Sequence, residues 1–275
     1  PVSLSPARLR LCYRSGTMTD MPTILPRLKP FELFVQAYAL TFGNLESPIR
    51  FSWLGVLVIA LAGRLLAGDA PPMETEADAE NLPPGLFAVF ALLALCVGLL
   101  HAMVAVAWHR AILLGEHHRD RRIYLHLSAR EALYGLIGVF FGMILFMGIS
   151  TALVMLQGSG GNLMSMTLGM VLGPGIALFV FSRSMFVLPS VALGRGPDIG
   201  ASWRATQGNG LRVAATLLLV MMPVGAIELS MILLVQSFAE RDLGMVVGLV
   251  VSFVTMTVMI VMVSTIVAAI SLMYA

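Results

Sequence analysis

From Ala132 to Ser182 the chain runs 51 residues without one charged side chain. Soluble domains do not contain such a run, because about a quarter of their residues carry charge. A helix that crosses lipid requires one. It needs about 20 mostly apolar residues to span a hydrocarbon core of about 30 Å, and every backbone amide must find its partner inside the segment. The charge-free run is about twice that length, and Gln157-Gly-Ser-Gly-Gly-Asn162 interrupts it. It therefore reads as a hairpin, with span three near Tyr134 to Leu156 and span four near Met164 to Phe186 joined by a glycine-rich turn.

Four more stretches qualify. Span one is Phe51 to Ala67; span two is Leu86 to Ala107, with its helix continuing to Gly115. Span five is Val213 to Gln236, and span six lies within the charge-free stretch from Leu243 to Ala275. With 58% hydrophobic and 12% charged residues overall, a soluble globular protein is excluded. The two cysteines, Cys12 and Cys96, fall in different environments and make no disulfide framework. The expected fold is all-α: a polytopic bundle of six transmembrane helices in three hairpins, with amphipathic helices at the cytoplasmic interface.

The loops alternate in charge. Gly68 to Gly85 carries Asp69, Glu74, Glu76, Asp78 and Glu80 and no base. Glu116 to Glu131 holds Arg119, Arg121, Arg122 and Arg130, with Arg110 just before it; the loop before span five holds Arg195, Arg204 and Arg212, with Arg183 near its start. Adding Arg8, Arg10, Arg14, Arg27, Lys29 and Arg50, 15 of the 17 basic residues fall on one side, leaving Arg64 and Arg241. Lys and Arg stay on the cytoplasmic side during insertion, so both termini are expected in the cytoplasm. The apolar spans begin only after residue 50, and no cleavable signal peptide is visible. Residues 1–30 read as a flexible cytoplasmic segment and 31–275 as the membrane domain; because Met18-Thr-Asp-Met21 resembles a natural start, residues 1–17 are expected not to be native.

Each hairpin has its own entry segment. Phe31, Phe34, Val35, Tyr38 and Phe42 recur at helical spacing ahead of span one, the pattern of an amphipathic helix in the inner interface. Ahead of span five, Asp198 is placed to cap a helix carrying Ile199 and Trp203, and Thr206-Gln-Gly-Asn209 echoes Thr41-Phe-Gly-Asn44. Ser128-Ala-Arg-Glu131 has the form of a capping box before span three. Gly138-xxx-Gly142, Gly169-xxx-Gly173 and Gly244-xxx-Gly248 permit close helix approach, within the bundle or at a subunit interface.

Few residues inside the spans carry chemistry. Glu228 is the acid within span five, and a carboxylate at that depth must be protonated, paired or facing a polar cavity. Arg64 is its natural partner by depth, about 4 to 5 Å inside the outer edge against about 12 Å for Glu228. The alternatives are a structural ion pair and a substrate or proton site. Gly173-Pro174-Gly175 in span four and Pro223 with Gly225 in span five are placed to kink the helices or to unwind them around a ligand. Arg110, Arg119, Arg121, Arg122, Arg183, Arg204 and Arg212 are candidate contacts for anionic lipids on the cytoplasmic face.

Enzyme and cofactor signatures do not stand up. The histidines 101, 109, 117, 118 and 126 all come from span two and the loop after it, so no facing pair is expected for a haem. Next to Arg119, Arg121 and Arg122 a divalent metal is disfavoured, and His109, His117, His118 and His126 read as solvated or phosphate-facing residues. Ser150 has no accessible histidine expected opposite it, and the turn Gly158 to Gly161 lacks the Lys-Ser/Thr of a phosphate loop. No cofactor, no catalytic residue, no metal ligand and no nucleic-acid partner are expected.

The residues Ala105-Val-Ala-Trp-His-Arg110, Leu113-Leu-Gly-Glu116 and Ser202-Trp-Arg-Ala-Thr-Gln-Gly-Asn209, the last following an Arg183 to Pro189 segment, resemble a group of uncharacterised six-span inner-membrane proteins of bacteria. That group is similar in turn to the membrane domain fused to some glycerophosphoryl diester phosphodiesterases. The likeness runs from about Phe31 onward; it implies six spans and a bacterial inner membrane, and transfers no catalytic residue. The leading expectation is a non-enzymatic accessory or assembly subunit of a larger membrane complex, with lipid and membrane-protein partners. The alternative is a small-solute or lipid transporter or lipid-handling protein with a site near Glu228 and the helix breaks.

Overall fold

The computed structural model describes residues 27–67, 84–115, 127–158, 163–239 and 244–275. They form nine helices: α1 Pro30–Phe42, α2 Glu46–Ala67, α3 Pro84–Leu114, α4 Ala129–Gly158, α5 Leu163–Ser184, α6 Val187–Ala192, α7 Ile199–Ala205, α8 Gly210–Ala239 and α9 Gly244–Tyr274. Six of these, α2, α3, α4, α5, α8 and α9, are long and apolar enough to cross a membrane, and the chain is an all-α, multi-pass membrane protein. The helices overrun the expected spans by up to several residues at their ends, because backbone groups leaving the lipid still need partners. Span one, for example, begins at Glu46 instead of Phe51.

Helix α9 is the hub, packing against α1, α2, α3, α6 and α8. The α4–α5 hairpin joins through α3, α6 and α8. Its closure depends on glycine: a Cβ at Gly148 would stand 2.6 Å from Ala177 Cβ and 2.8 Å from the Gly173 carbonyl oxygen. Without side chains there, the two backbones approach closely, the substitute in lipid for hydrophobic attraction between helices. Gly173 thus packs as expected, but its partner is Gly148. Gly138 and Gly142, expected to serve this purpose, have nothing within 4 Å of where a Cβ would stand. They sit on a helix that is apolar all round, where spacing alone does not tell a packed face from a lipid-facing one.

The local signals at helix starts take the forms expected. Ser128 N donates to Glu131 Oε2 at 2.9 Å, the Ser128 hydroxyl donates to the same oxygen, and Arg130 N donates to Ser128 Oγ at 3.2 Å, closing the capping box on α4. Asp198 caps α7 by accepting from Ala201 N at 2.8 Å. The two Thr-x-Gly-Asn turns share one bond, Asn44 N to Thr41 O at 3.1 Å and Asn209 N to Thr206 O at 3.0 Å. They differ at glycine: Gly43 is right-handed at φ −72°, while Gly208 takes φ +76°, open to residues without a Cβ.

Helix α1 is docked on the bundle. Leu28 N donates to Asn209 Oδ1 at 3.3 Å, and the Tyr38 hydroxyl donates to Val220 O at 3.0 Å. Ten residues in the first stretch thus match eleven in the second, about 15 Å in each at a 1.5 Å rise, so α1 runs alongside the start of α8. Its packed face is Leu33, Phe34, Ala37, Tyr38 and Thr41; Phe31, Val35 and Phe42 of the expected stripe are exposed.

Candidate functional site

A buried polar cluster lies where α3, α4 and α9 meet. His109 is fully buried and has both ring nitrogens engaged: Nδ1 with Ser271 Oγ at 2.6 Å and Nε2 with the Tyr134 hydroxyl at 3.1 Å. Ser271 donates its own proton to Val267 O at 2.8 Å. One tautomer satisfies every bond: His109 donates from Nδ1 to Ser271, and Tyr134 donates to Nε2. Two turns of α9 away, Trp108 Nε1 donates to Ser264 O at 3.0 Å. The result is a buried network, with both imidazole nitrogens engaged, tying three spans together.

This overturns the expectation for His109, which is neither solvated nor phosphate-facing. The helix carries on unbroken past position 109 and turns that side chain onto α4 and α9. The geometry also resembles a serine–histidine dyad, but the serine hydroxyl is committed to a carbonyl and the second nitrogen to Tyr134, so nothing here activates a nucleophile. Ser264 and Ser271, seven apart on an apolar helix, were the legible trace of this face.

The residues of the expected intramembrane site fall on α2, α5 and α8. Pro174 lies inside α5 and Pro223 inside α8, and neither helix is interrupted there. Gly173 faces Gly148 on α4, and Gly175 has open space beside it. Val224, next to Pro223, packs with Val261 and Met262 of α9. Arg64 stands on α2, which packs on α3 and α9, and Glu228 on α8, which packs on α1, α5 and α9. The side chains of Arg64 and Glu228 lie outside the described residues.

Among the described residues, Arg110, Arg183, Arg195 and Arg212 bond to other parts of the chain. Arg110 Nη1 reaches Ala192 O at 3.4 Å, Arg195 Nη1 the Tyr274 hydroxyl at 3.2 Å, and Arg212 Nη1 Asn209 Oδ1 at 3.3 Å. Arg183 Nη1 donates to Thr206 O at 2.6 Å while its guanidinium sits 5.9 Å from the Phe179 ring and 5.3 Å from Trp203. Arg204 is exposed and reaches Asp198 at 4.0 Å. Arg119, Arg121 and Arg122, with His117, His118 and His126, lie outside the described residues, as does the acidic loop. Among the described residues no group of three His, Cys, Asp or Glu is placed to hold a metal ion. Comparison with protein-family models, curated proteins and solved structures yields no match to this chain.

Proposed function

We propose that this chain is a non-enzymatic protein of a bacterial inner membrane, an accessory or assembly subunit of a larger membrane complex, with its arginine-rich end and both termini in the cytoplasm. The observation that carries this reading is the saturated His109 network. This fully buried imidazole has both nitrogens occupied by other parts of the same chain. Polar groups used in this way hold helices in place and have no free valence for a substrate. What the bundle offers to its surroundings is apolar area. Leu136, Phe140, Met143 and Met147 form one exposed stripe along α4, at spacings that share a helix face. The charge asymmetry of the loops supports the orientation.

Purification in mild detergent followed by mass spectrometry tests the role: a stoichiometric partner spanning the membrane is expected, and a chain that runs alone would overturn it. Orientation is tested on cells with the native cysteines replaced by serine. Arg121→Cys should react only with reagents that reach the cytoplasm, and Glu76→Cys with impermeant reagents added outside.

A further inference from the structure

Helix α7 and the end of α5 form a corner unlike the rest of the surface. Ile199 and Trp203, four residues apart, share one face of α7 and are 53% and 37% exposed. Trp203 is held in place: its Nε1 donates to Ser184 Oγ at 2.9 Å, its ring meets Phe179 edge-on at 6.2 Å, and the Arg183 guanidinium covers it. Ser202 Oγ donates to Arg183 O at 2.7 Å and fixes α7 to the end of α5 from beneath. The apolar surface continues up α5 through Phe179, 43% exposed, and Ile176, 61% exposed. On the adjoining face of α7, Arg204 bends back over Gly200 toward Asp198, with both side chains well exposed.

We infer that this corner is a seat for one anionic phospholipid, with an acyl chain along Ile176, Phe179 and Trp203 and the phosphate at Arg204. Three features converge on that occupant. A fixed tryptophan at the end of a spanning helix marks the depth where chain meets headgroup. The apolar strip leads from that depth along a helix that crosses the membrane, the direction in which an acyl chain lies. The charge is complementary as well: Arg183 and Arg204 against Asp198 leave one net positive charge, which a phosphodiester with an uncharged headgroup neutralises. A zwitterionic headgroup would return a cation to the same place. Arg204 is the residue free to engage, because its pairing with Asp198 is long and solvent-exposed and costs little to exchange. Arg183, already bonded to Thr206 O and stacked on the rings, positions Trp203. The inference is independent of the accessory role, since a lone transporter would carry the same seat.

Brominated lipids test it, because bromine quenches tryptophan fluorescence on contact. In a Trp53→Phe background the remaining tryptophans are Trp203 and the buried Trp108, and subtracting the signal of a Trp203→Phe partner isolates Trp203. The protein is reconstituted in mixed phosphatidylglycerol and phosphatidylcholine, with one lipid or the other brominated. Trp203 should be quenched by brominated phosphatidylglycerol as though that lipid were enriched about fivefold at its side, the effect of one arginine near an anionic headgroup. Arg204→Gln should bring the enrichment close to one. Asp198→Asn, which keeps a capping side chain while releasing Arg204, should raise it. Equal quenching by both lipids, quenching by neither, or enrichment that survives Arg204→Gln would overturn the assignment.

Discussion

The half of the bundle nearest the arginines and the half farthest from them are built on different terms. Near the arginines, α3 is buried at most positions from Leu100 to Ile112, α9 from Ile260 to Met273, and α8 at Val213, Thr216, Leu217, Val220 and Val224. Farther out the same helices loosen: no described residue of α3 before Leu100, of α8 after Val224 or of α9 before Ile260 is buried. The near half also holds the polar ties between helices, His109 to Ser271 and Tyr134, Trp108 to Ser264, and Tyr38 to Val220. In lipid, apolar faces gain nothing by meeting each other instead of acyl chains, so helices stay together where hydrogen bonds or close backbone contact reward it. The near half uses the first device. In the far half, the α4–α5 pair uses the second, at Gly148 and Gly173.

The glycine contact should give the largest effect. Gly148→Ala places a methyl against backbone and an alanine methyl that cannot both retreat, at an expected cost of about 3 kcal/mol. Gly142→Ala, with open space around it, should fall within about 0.5 kcal/mol of the parent. Unfolding by SDS titration in mixed micelles measures both. If the two substitutions prove equal, the hairpin does not close on Gly148. The polar device comes next. His109→Leu removes two interhelical bonds and leaves the Tyr134 hydroxyl buried without its acceptor, a loss of about 2 kcal/mol. Val254→Ala, on the exposed face of far α9, should cost less than about 0.5 kcal/mol. A far-half truncation as costly as His109→Leu would erase the distinction between the halves.

What the sequence reveals of this molecule follows the same division. The spans, the loop charges and the caps of Ser128, Glu131 and Asp198 depend on neighbours within a few residues, and composition or spacing exposes them. The His109 network brings together residues from α3, α4 and α9, separated by 25 and 162 positions. In helices hydrophobic around their whole circumference, no periodic pattern announces which side faces inward. For that reason the sequence reads His109 as solvated or phosphate-facing, and its glycine spacing points to Gly138 and Gly142 instead of Gly148. The expected intramembrane site shows the limit from the other direction. Depth estimates place Arg64 near Glu228 along the membrane normal but say nothing of rotation about it.

A smaller loss than that of His109→Leu is expected at the docked helix. Tyr38 donates to Val220 O, next to Leu219 O, the carbonyl that Pro223 leaves without its helical amide. Tyr38→Phe should therefore cost about 1 kcal/mol and loosen α1 from α8 without disturbing the His109 network. The bond also has a pH signature. Burial raises the Tyr38 phenol above its ordinary value of 10.0. A group whose proton is held more tightly in the folded state contributes fully below the unfolded value and loses that contribution as pH rises through the folded one. The parent should thus keep its advantage over Tyr38→Phe at neutral pH and surrender it above about pH 10, where ionisation removes the donor. Amide exchange along Val220–Val224, followed from pH 7 to 11 in the parent and the variant with intrinsic exchange rates divided out, reads this directly. No difference between parent and variant at any pH in that range would mean Tyr38 contributes by packing alone.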